Sequence, residues 1–94
     1  MYKSILITGG AGFIGSHLVR RWVSLYPQTK VVNLDALTYA SDIDNLKEIE
    51  NKSNYFFVKG DIADPLLVTK LFELYHFVKA YIQTSLDYFS SQYF

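Results

Sequence analysis

Ile5-Leu6-Ile7-Thr8-Gly9-Gly10-Ala11-Gly12-Phe13-Ile14-Gly15 decides how the chain is read. An apolar run suited to a buried strand meets a glycine-rich turn, and the turn opens a segment with helical spacing. Gly10, Gly12 and Gly15 fit G-x-G-x-x-G, while Gly9, Gly12 and Gly15 fit the wider G-x-x-G-x-x-G with Thr8 in front. A phosphate can rest on backbone amides only where no Cβ intervenes, and a sharp strand-to-helix turn needs dihedrals that side chains penalise. The N–H groups at the helix start, with the positive end of the helix dipole, then favour an anion.

Glycine-rich turns are common, so the pattern needs a strand before it, a helix after it and an acid about twenty residues on. Residues 1–7 supply the strand. Residues 13–26 carry Ile14, Leu18, Trp22 and Leu25 at helical intervals, with Arg20 and Arg21 on the polar side and Pro27 ending the helix. Asp35 closes a second apolar run, Val31-Val32-Asn33-Leu34, whose continuity suits a parallel strand buried on both faces. Ligands of open α/β sheets lie at the carboxyl ends of strands, so Asp35 is placed to accept hydrogen bonds from adenosine ribose hydroxyls. The same carboxylate repels a 2′-phosphate, and no arginine follows position 21, which favours NAD over NADP.

Farther on, Ser41 and Asp44 have capping-box spacing for a short helix whose apolar face is Ile43, Leu46 and Ile49. Thr38 and Tyr39, in the loop before it, edge the adenosine site or cover the sheet. Tyr55-Phe56-Phe57-Val58 reads as a third strand, and Gly60-Asp61-Ile62 follows at its nucleotide-facing end. There Asp61 can bond an adenine amino group while Ile62 packs on the ring, although an aspartate in a turn after glycine also occurs without function. Asp64 and Pro65 then form the cap and first position of a further helix. The order strand-helix-strand-helix-strand-helix is α/β: a partial Rossmann fold, half of a doubly wound parallel sheet, with three parallel strands in the order 3-2-1.

The chain has 94 residues, room for one small domain, whereas a complete doubly wound fold has about six strands. Half the residues are hydrophobic, so the chain can build a core. Nine basic residues balance nine acidic ones, which gives no global field for nucleic acid or an anionic membrane. The absence of cysteine excludes disulfides, a thiolate nucleophile and a thiolate metal site. His17 reads as a helix-surface residue and His76 as a cation near a helix end; two isolated histidines make no metal site. The short apolar run before Gly9 is too brief for a signal peptide or a spanning helix, so a cytoplasmic location is expected.

The residues Thr8 to Gly15 as T-G-G-A-G-F-I-G, Asp35-Ala36-Leu37-Thr38-Tyr39-Ala40 and Gly60-Asp61-Ile62 together resemble the extended short-chain dehydrogenase/reductase family. Within that family D-x-L-T-Y-A is most similar to the dTDP-glucose 4,6-dehydratases; the glycine signature alone also covers other NAD-dependent sugar-nucleotide epimerases and dehydratases. The resemblance spans roughly residues 3–77. It implies NAD held at the pyrophosphate by Gly9, Gly12, Phe13, Ile14 and Gly15, at the ribose by Asp35, Leu37 and Thr38, and at the adenine by Asp61 and Ile62. It also implies a reaction in which NAD takes a hydride from C4 of a glucose unit, water leaves across C5 and C6, and the hydride returns to C6.

That chemistry uses a tyrosine base with a lysine four residues later, plus acidic groups, all expected beyond the span of this chain. Tyr26/Lys30 and Tyr75/Lys79 have the Tyr-x-x-x-Lys spacing but read as coincidence, so no catalytic residue is assigned. Residues 78–94 do not resemble the family. Leu71, Tyr75, Val78, Ile82, Leu86, Phe89 and Tyr93 recur every three or four residues without glycine or proline, which predicts that the last helix continues through the tail. The rival is a replacement strand at about residues 80–84 pairing with the first strand. Five aromatics among the last fourteen residues leave apolar surface to fill the core, cover a sheet edge or drive self-association.

Overall fold

Ser4–Thr8 forms β1, the central strand of a five-stranded sheet, and all five of its residues are buried. A strand covered on both faces cannot alternate apolar with polar, which is why Ile5-Leu6-Ile7 runs unbroken. The chain continues through α1 (Phe13–Leu25), β2 (Lys30–Asp35), a 3₁₀ turn (Ile43–Leu46), β3 (Tyr55–Lys59), α2 (Pro65–Tyr75), β4 (Lys79–Ser85) and β5 (Tyr88–Tyr93). The structure is a computed structural model and describes residues 3–37, 43–85 and 88–93.

The sheet order is β3-β2-β1-β4-β5. β1, β2, β3 and β4 are parallel, with Ile5 opposite Val31 and Lys79, and Val31 opposite Tyr55; β5 runs antiparallel to β4. The predicted 3-2-1 order is therefore present, and the chain reverses its winding direction at β1. Alternation sends Ile5, Ile7 and Val31 to the face covered by α1, and Leu6, Val32 and Leu34 to the face covered by α2. Helices thus lie on both faces, as a doubly wound sheet requires.

α1 turns a different side to the sheet from the one its apolar spacing predicts. Gly15, Ser16, Val19 and Val23 are its buried residues. Leu18 and Trp22 pack at the margin of the core, while Ile14 and Leu25 are exposed. Small and β-branched residues let the helix axis approach the sheet closely, which the larger side chains would prevent. Its carboxyl end is held by Asn54, whose Nδ2 donates to the carbonyls of Val23, Tyr26 and Thr29 at 3.1, 3.2 and 3.1 Å. The short helix expected after position 41 is a single 3₁₀ turn, still burying Leu46 and Ile49; Ser41 lies outside the described residues. α2 begins as expected, with Pro65 in its first turn and the Asp64 side chain accepting from Leu67 N at 3.3 Å.

The described residues of the tail are not helical. α2 ends at His76, which adopts a left-handed conformation (φ 51°) and donates its N–H to Phe72 O, turning the chain back toward the sheet. Val78 N then donates to Ser4 O, and residues 79–85 form β4, whose residues 79–81 pair with the open edge of β1, the alternative strand reading. The helical spacing fails because the segment has two faces to bury. Ala80 is fully enclosed on the α2 side, and Tyr81 points to the α1 side with its ring 6.0 Å from that of Trp22. A helix would bury one stripe and leave the backbone edge of β1 without partners.

The strand register makes opposite demands on near neighbours. Ala80→Asp should cost about 3 kcal/mol by placing a charge in an apolar layer, whereas Val78→Thr should stay within about 1 kcal/mol. Urea unfolding of the two variants would measure the difference.

Candidate functional site

The carboxyl ends of β1, β2 and β3 converge on an open cleft of about 230 Å³ whose lining includes Thr8, Gly9, Asp35, Gly60, Asp61 and Ile62. The cleft lies beside β1, where the winding direction reverses and the helices leave the sheet ends uncovered.

Two side chains of β2 build the turn beside it. Asn33 and Asp35 are two residues apart, so both face α1. Gly10 N donates to Asn33 Oδ1 at 2.9 Å, and Ala11 N donates to Asp35 Oδ2 at 2.7 Å. The other Asp35 oxygen accepts from Leu37 N, also at 2.7 Å. Gly9 N reaches Leu34 O at 2.9 Å and Gly12 N reaches Gly9 O at 3.2 Å. The amides of residues 9–12 are thereby committed within the protein. Gly12 caps α1 without a side-chain hydrogen bond, and helix geometry gives the first-turn amides of Phe13, Ile14 and Gly15 no intrahelical acceptor. Donors and dipole at this helix start both favour an anion.

Glycine is required here for specific reasons. Gly9 has φ 69°, a left-handed conformation. A Cβ on Gly15 would strike the Gly9 carbonyl, so Gly15 lets α1 pack against the turn. At Gly60 the constraint is milder, because a Cβ there would meet the movable end of the Leu67 side chain.

Of the expected site residues, Gly9, Asp35, Asp61 and Ile62 line the cleft, whereas Gly12, Phe13, Ile14, Gly15 and Leu37 are not among its lining residues. Asp35 is 5% exposed and lies on the same face as the glycine turn. A carboxylate offers about four acceptor positions, and two are occupied by Ala11 and Leu37, which leaves capacity for hydroxyl donors. Leu37 adopts φ 56° beside it. Asp61 accepts from Ala63 N at 2.9 Å, closing a local turn on the cleft wall, and Ile62 is exposed next to it. Phe13 and Ile14 are both exposed at the start of α1. Thr38, together with Tyr39, lies outside the described residues.

Several supporting groups leave little trace in the sequence. Asn33 is fully buried, and its Nδ2 donates to Tyr55 Oη at 3.3 Å. Asn45 Nδ2 donates to Ala11 O at 3.0 Å, while Arg20 donates to Asn45 O, tying the 3₁₀ turn to the glycine turn. A polar residue inside an apolar strand run was the available signal for Asn33; the partners of Asn45 and Arg20 left none. Burial pushes the Tyr55 hydroxyl above its usual value, opposed by the Asn33 hydrogen bond and helped by the negative charges of Asp35 and Glu50.

Both Tyr-x-x-x-Lys strings sit at the far end of the sheet. Tyr26 follows α1 and Lys30 begins β2; Tyr75 ends α2 and Lys79 begins β4. Each pair is about one strand length from the cleft, roughly 15 Å at 3.3 Å per residue. Among the described residues no group of His, Cys, Asp and Glu could hold a metal, and no helix is long and apolar enough to cross a membrane.

A family profile described as GDP-mannose 4,6 dehydratase matches residues 6–81. The chain belongs to this family. The match runs from β1 into β4, past residue 77 where the motif resemblance stops. Human dTDP-D-glucose 4,6-dehydratase is 49% identical over 71 residues, 76% of this chain and 20% of its own length. A trifunctional UDP-glucose 4,6-dehydratase of Arabidopsis thaliana is 52% identical over 69 residues, 73% of this chain and 10% of its own. A dTDP-glucose 4,6-dehydratase from Bacillus anthracis, solved in complex with NAD, superposes with a TM-score of 0.78 at 41% identity, covering 81% of this chain and 24% of that one. The chain spans about a fifth of the length of the dTDP-glucose 4,6-dehydratases it matches.

Two outcomes follow from this member's site geometry. Gly15→Ala should cost about 1–3 kcal/mol in chemical denaturation, because the obstructing atom is backbone and cannot swing aside. Tyr55 has a folded-state pKa above its usual 10.0, so the folded state keeps its proton where the unfolded state loses it. Its contribution is complete below pH 10.0 and is lost as pH rises from there through the folded value. Melts between pH 9 and 11 should show this decline, and Tyr55→Phe should flatten it.

Proposed function

We propose that this chain is the NAD-binding portion of a sugar-nucleotide 4,6-dehydratase, of the kind that converts dTDP-glucose to dTDP-4-keto-6-deoxyglucose and water. The observation that carries the reading is the Asp35 carboxylate. It is buried at the end of β2, bonded to the glycine turn through Ala11, and retains acceptor capacity toward the cleft. Relatives solved with NAD and the family membership support the cofactor. In this assignment Gly9, Gly12, Phe13, Ile14 and Gly15 surround the pyrophosphate. Asp35, Leu37 and Thr38 hold the adenosine ribose, and Asp61 and Ile62 meet the adenine. The negative charge of Asp35 selects NAD over NADP.

The 94-residue chain is expected to bind the dinucleotide without turning over a sugar nucleotide, since neither Tyr-x-x-x-Lys pair approaches the cleft. A cytoplasmic location accords with this role. Another NAD-dependent sugar-nucleotide epimerase or dehydratase remains the nearest alternative, supported by a Campylobacter jejuni UDP-Glc/GlcNAc 4-epimerase with a TM-score of 0.74 at 28% identity. A non-catalytic nucleotide-binding module that self-associates through its tail is favoured by one observation. Among the described strands β5 is an edge, and Tyr88–Tyr93 carries neither charge nor proline to discourage pairing.

Calorimetric titration of the folded chain should show NAD binding at least about tenfold tighter than NADP, a difference of about 1.4 kcal/mol. Asp35→Asn should weaken NAD by at least about tenfold, because one carboxamide cannot accept from both Ala11 and Leu37 and still receive hydroxyls. A folded sample that binds neither dinucleotide defeats the proposal. Light scattering that shows a discrete dimer with nucleotide affinity intact favours the self-associating module.

A further inference from the structure

Asn33 interrupts the apolar run Val31 to Leu34 of β2, and the proposed function gives it no task. Its side chain is fully buried in the middle of β2. A carboxamide there needs hydrogen-bond partners to offset its desolvation, while a valine or isoleucine would suit the strand without them. Its orientation is dictated by Gly10, whose amide can only donate and therefore requires the Oδ1 atom. Nδ2 is then turned to the Tyr55 hydroxyl on the neighbouring strand.

The same contact accounts for glycine at position 10. A Cβ there would collide with the Asn33 carboxamide and crowd Val19, so this glycine answers to β2 and α1. Asp35 takes the next amide, that of Ala11. The two β2 side chains thus fix two successive peptide units of the turn, and α1 starts two residues later.

We propose that Asn33 is a positioning residue for the diphosphate: by holding the Gly10 amide, with Tyr55 steadying its carboxamide, it sets where α1 begins and aims the amides of Phe13, Ile14 and Gly15. This rests on the NAD reading above and deepens it. Asn33 touches no ligand; it acts through the turn.

The role separates ligands that contain a diphosphate from those that do not. The 15N-labelled 94-residue chain and its variants Asn33→Leu, Asn33→Asp and Tyr55→Phe are titrated with ADP-ribose and with adenosine, and Gly10 amide exchange is followed by NMR. Asn33→Leu should weaken ADP-ribose by about tenfold or more, leave adenosine within about twofold, and speed Gly10 exchange by about tenfold or more. Asn33→Asp keeps an acceptor and should restore Gly10 protection. Tyr55→Phe should shift ADP-ribose in the same direction by a smaller factor.

Unchanged ADP-ribose affinity and Gly10 protection in Asn33→Leu overturn the proposal. So does equal weakening of both ligands, which marks a purely structural residue. Should Asn33→Leu fail to fold, Tyr55→Phe decides: selective loss of ADP-ribose affinity supports the role and no change in either ligand overturns it. A folded wild-type chain that binds neither ligand defeats the nucleotide reading and the diphosphate role together. Wild-type binding with an indifferent Asn33→Leu defeats the Asn33 role alone.

Discussion

The Asp35 carboxylate accepts the Ala11 and Leu37 amides, each at 2.7 Å, and so joins the glycine turn after β1 to the end of β2. Charge-assisted bonds of this kind are shorter and stronger than neutral ones, and here they are made by a side chain that is 5% exposed. With Asn33 holding Gly10, they fix the turn against one strand at two points. The entry of α1, the left-handed conformation of Gly9 and the close packing at Gly15 all depend on that placement. Were β2 displaced by one residue, Asn33 and Asp35 would face α2 and the turn would lose both partners.

The cleft results from this joint and from the reversal of winding at β1. α1 leaves on one face and α2 on the other, so the ends of β1, β2 and β3 remain open between them. The committed amides of residues 9–12 make the turn a scaffold, and the first turn of α1 carries the remaining donors. An uncapped helix start beside a buried carboxylate combines opposite electrostatic preferences within one site: anions at the amides, hydroxyl donors at Asp35. A dinucleotide presents both kinds of group in that order.

The other half of the sheet is governed by backbone satisfaction. β1 would be an edge without β4, and its buried amides and carbonyls would have no ladder partners on that side. Val78 and residues 79–81 supply them even though the apolar spacing of the segment fits a helix. Ala80 and Tyr81 bury opposite faces, which a strand does and a helical stripe does not. β5 then pairs antiparallel with β4, an arrangement open to a sheet whose final connection is short.

The strand-turn-helix unit, the three parallel strands, the Asp64-Pro65 helix start and the family likeness are legible in the residues alone. Each is written in neighbouring residues: glycine dihedrals, apolar runs, a cap followed by proline. The buried side of α1, the single 3₁₀ turn, the partners of Asn33 and the strand character of the tail come from long-range packing. Those outcomes depend on groups far apart in sequence, such as Gly10 with Asn33 and Ile5 with Lys79, and an apolar period cannot state what lies opposite it. The helical spacing of residues 71–93 was real, but a strand edge awaiting hydrogen bonds outweighed it, and only the folded sheet contains that edge.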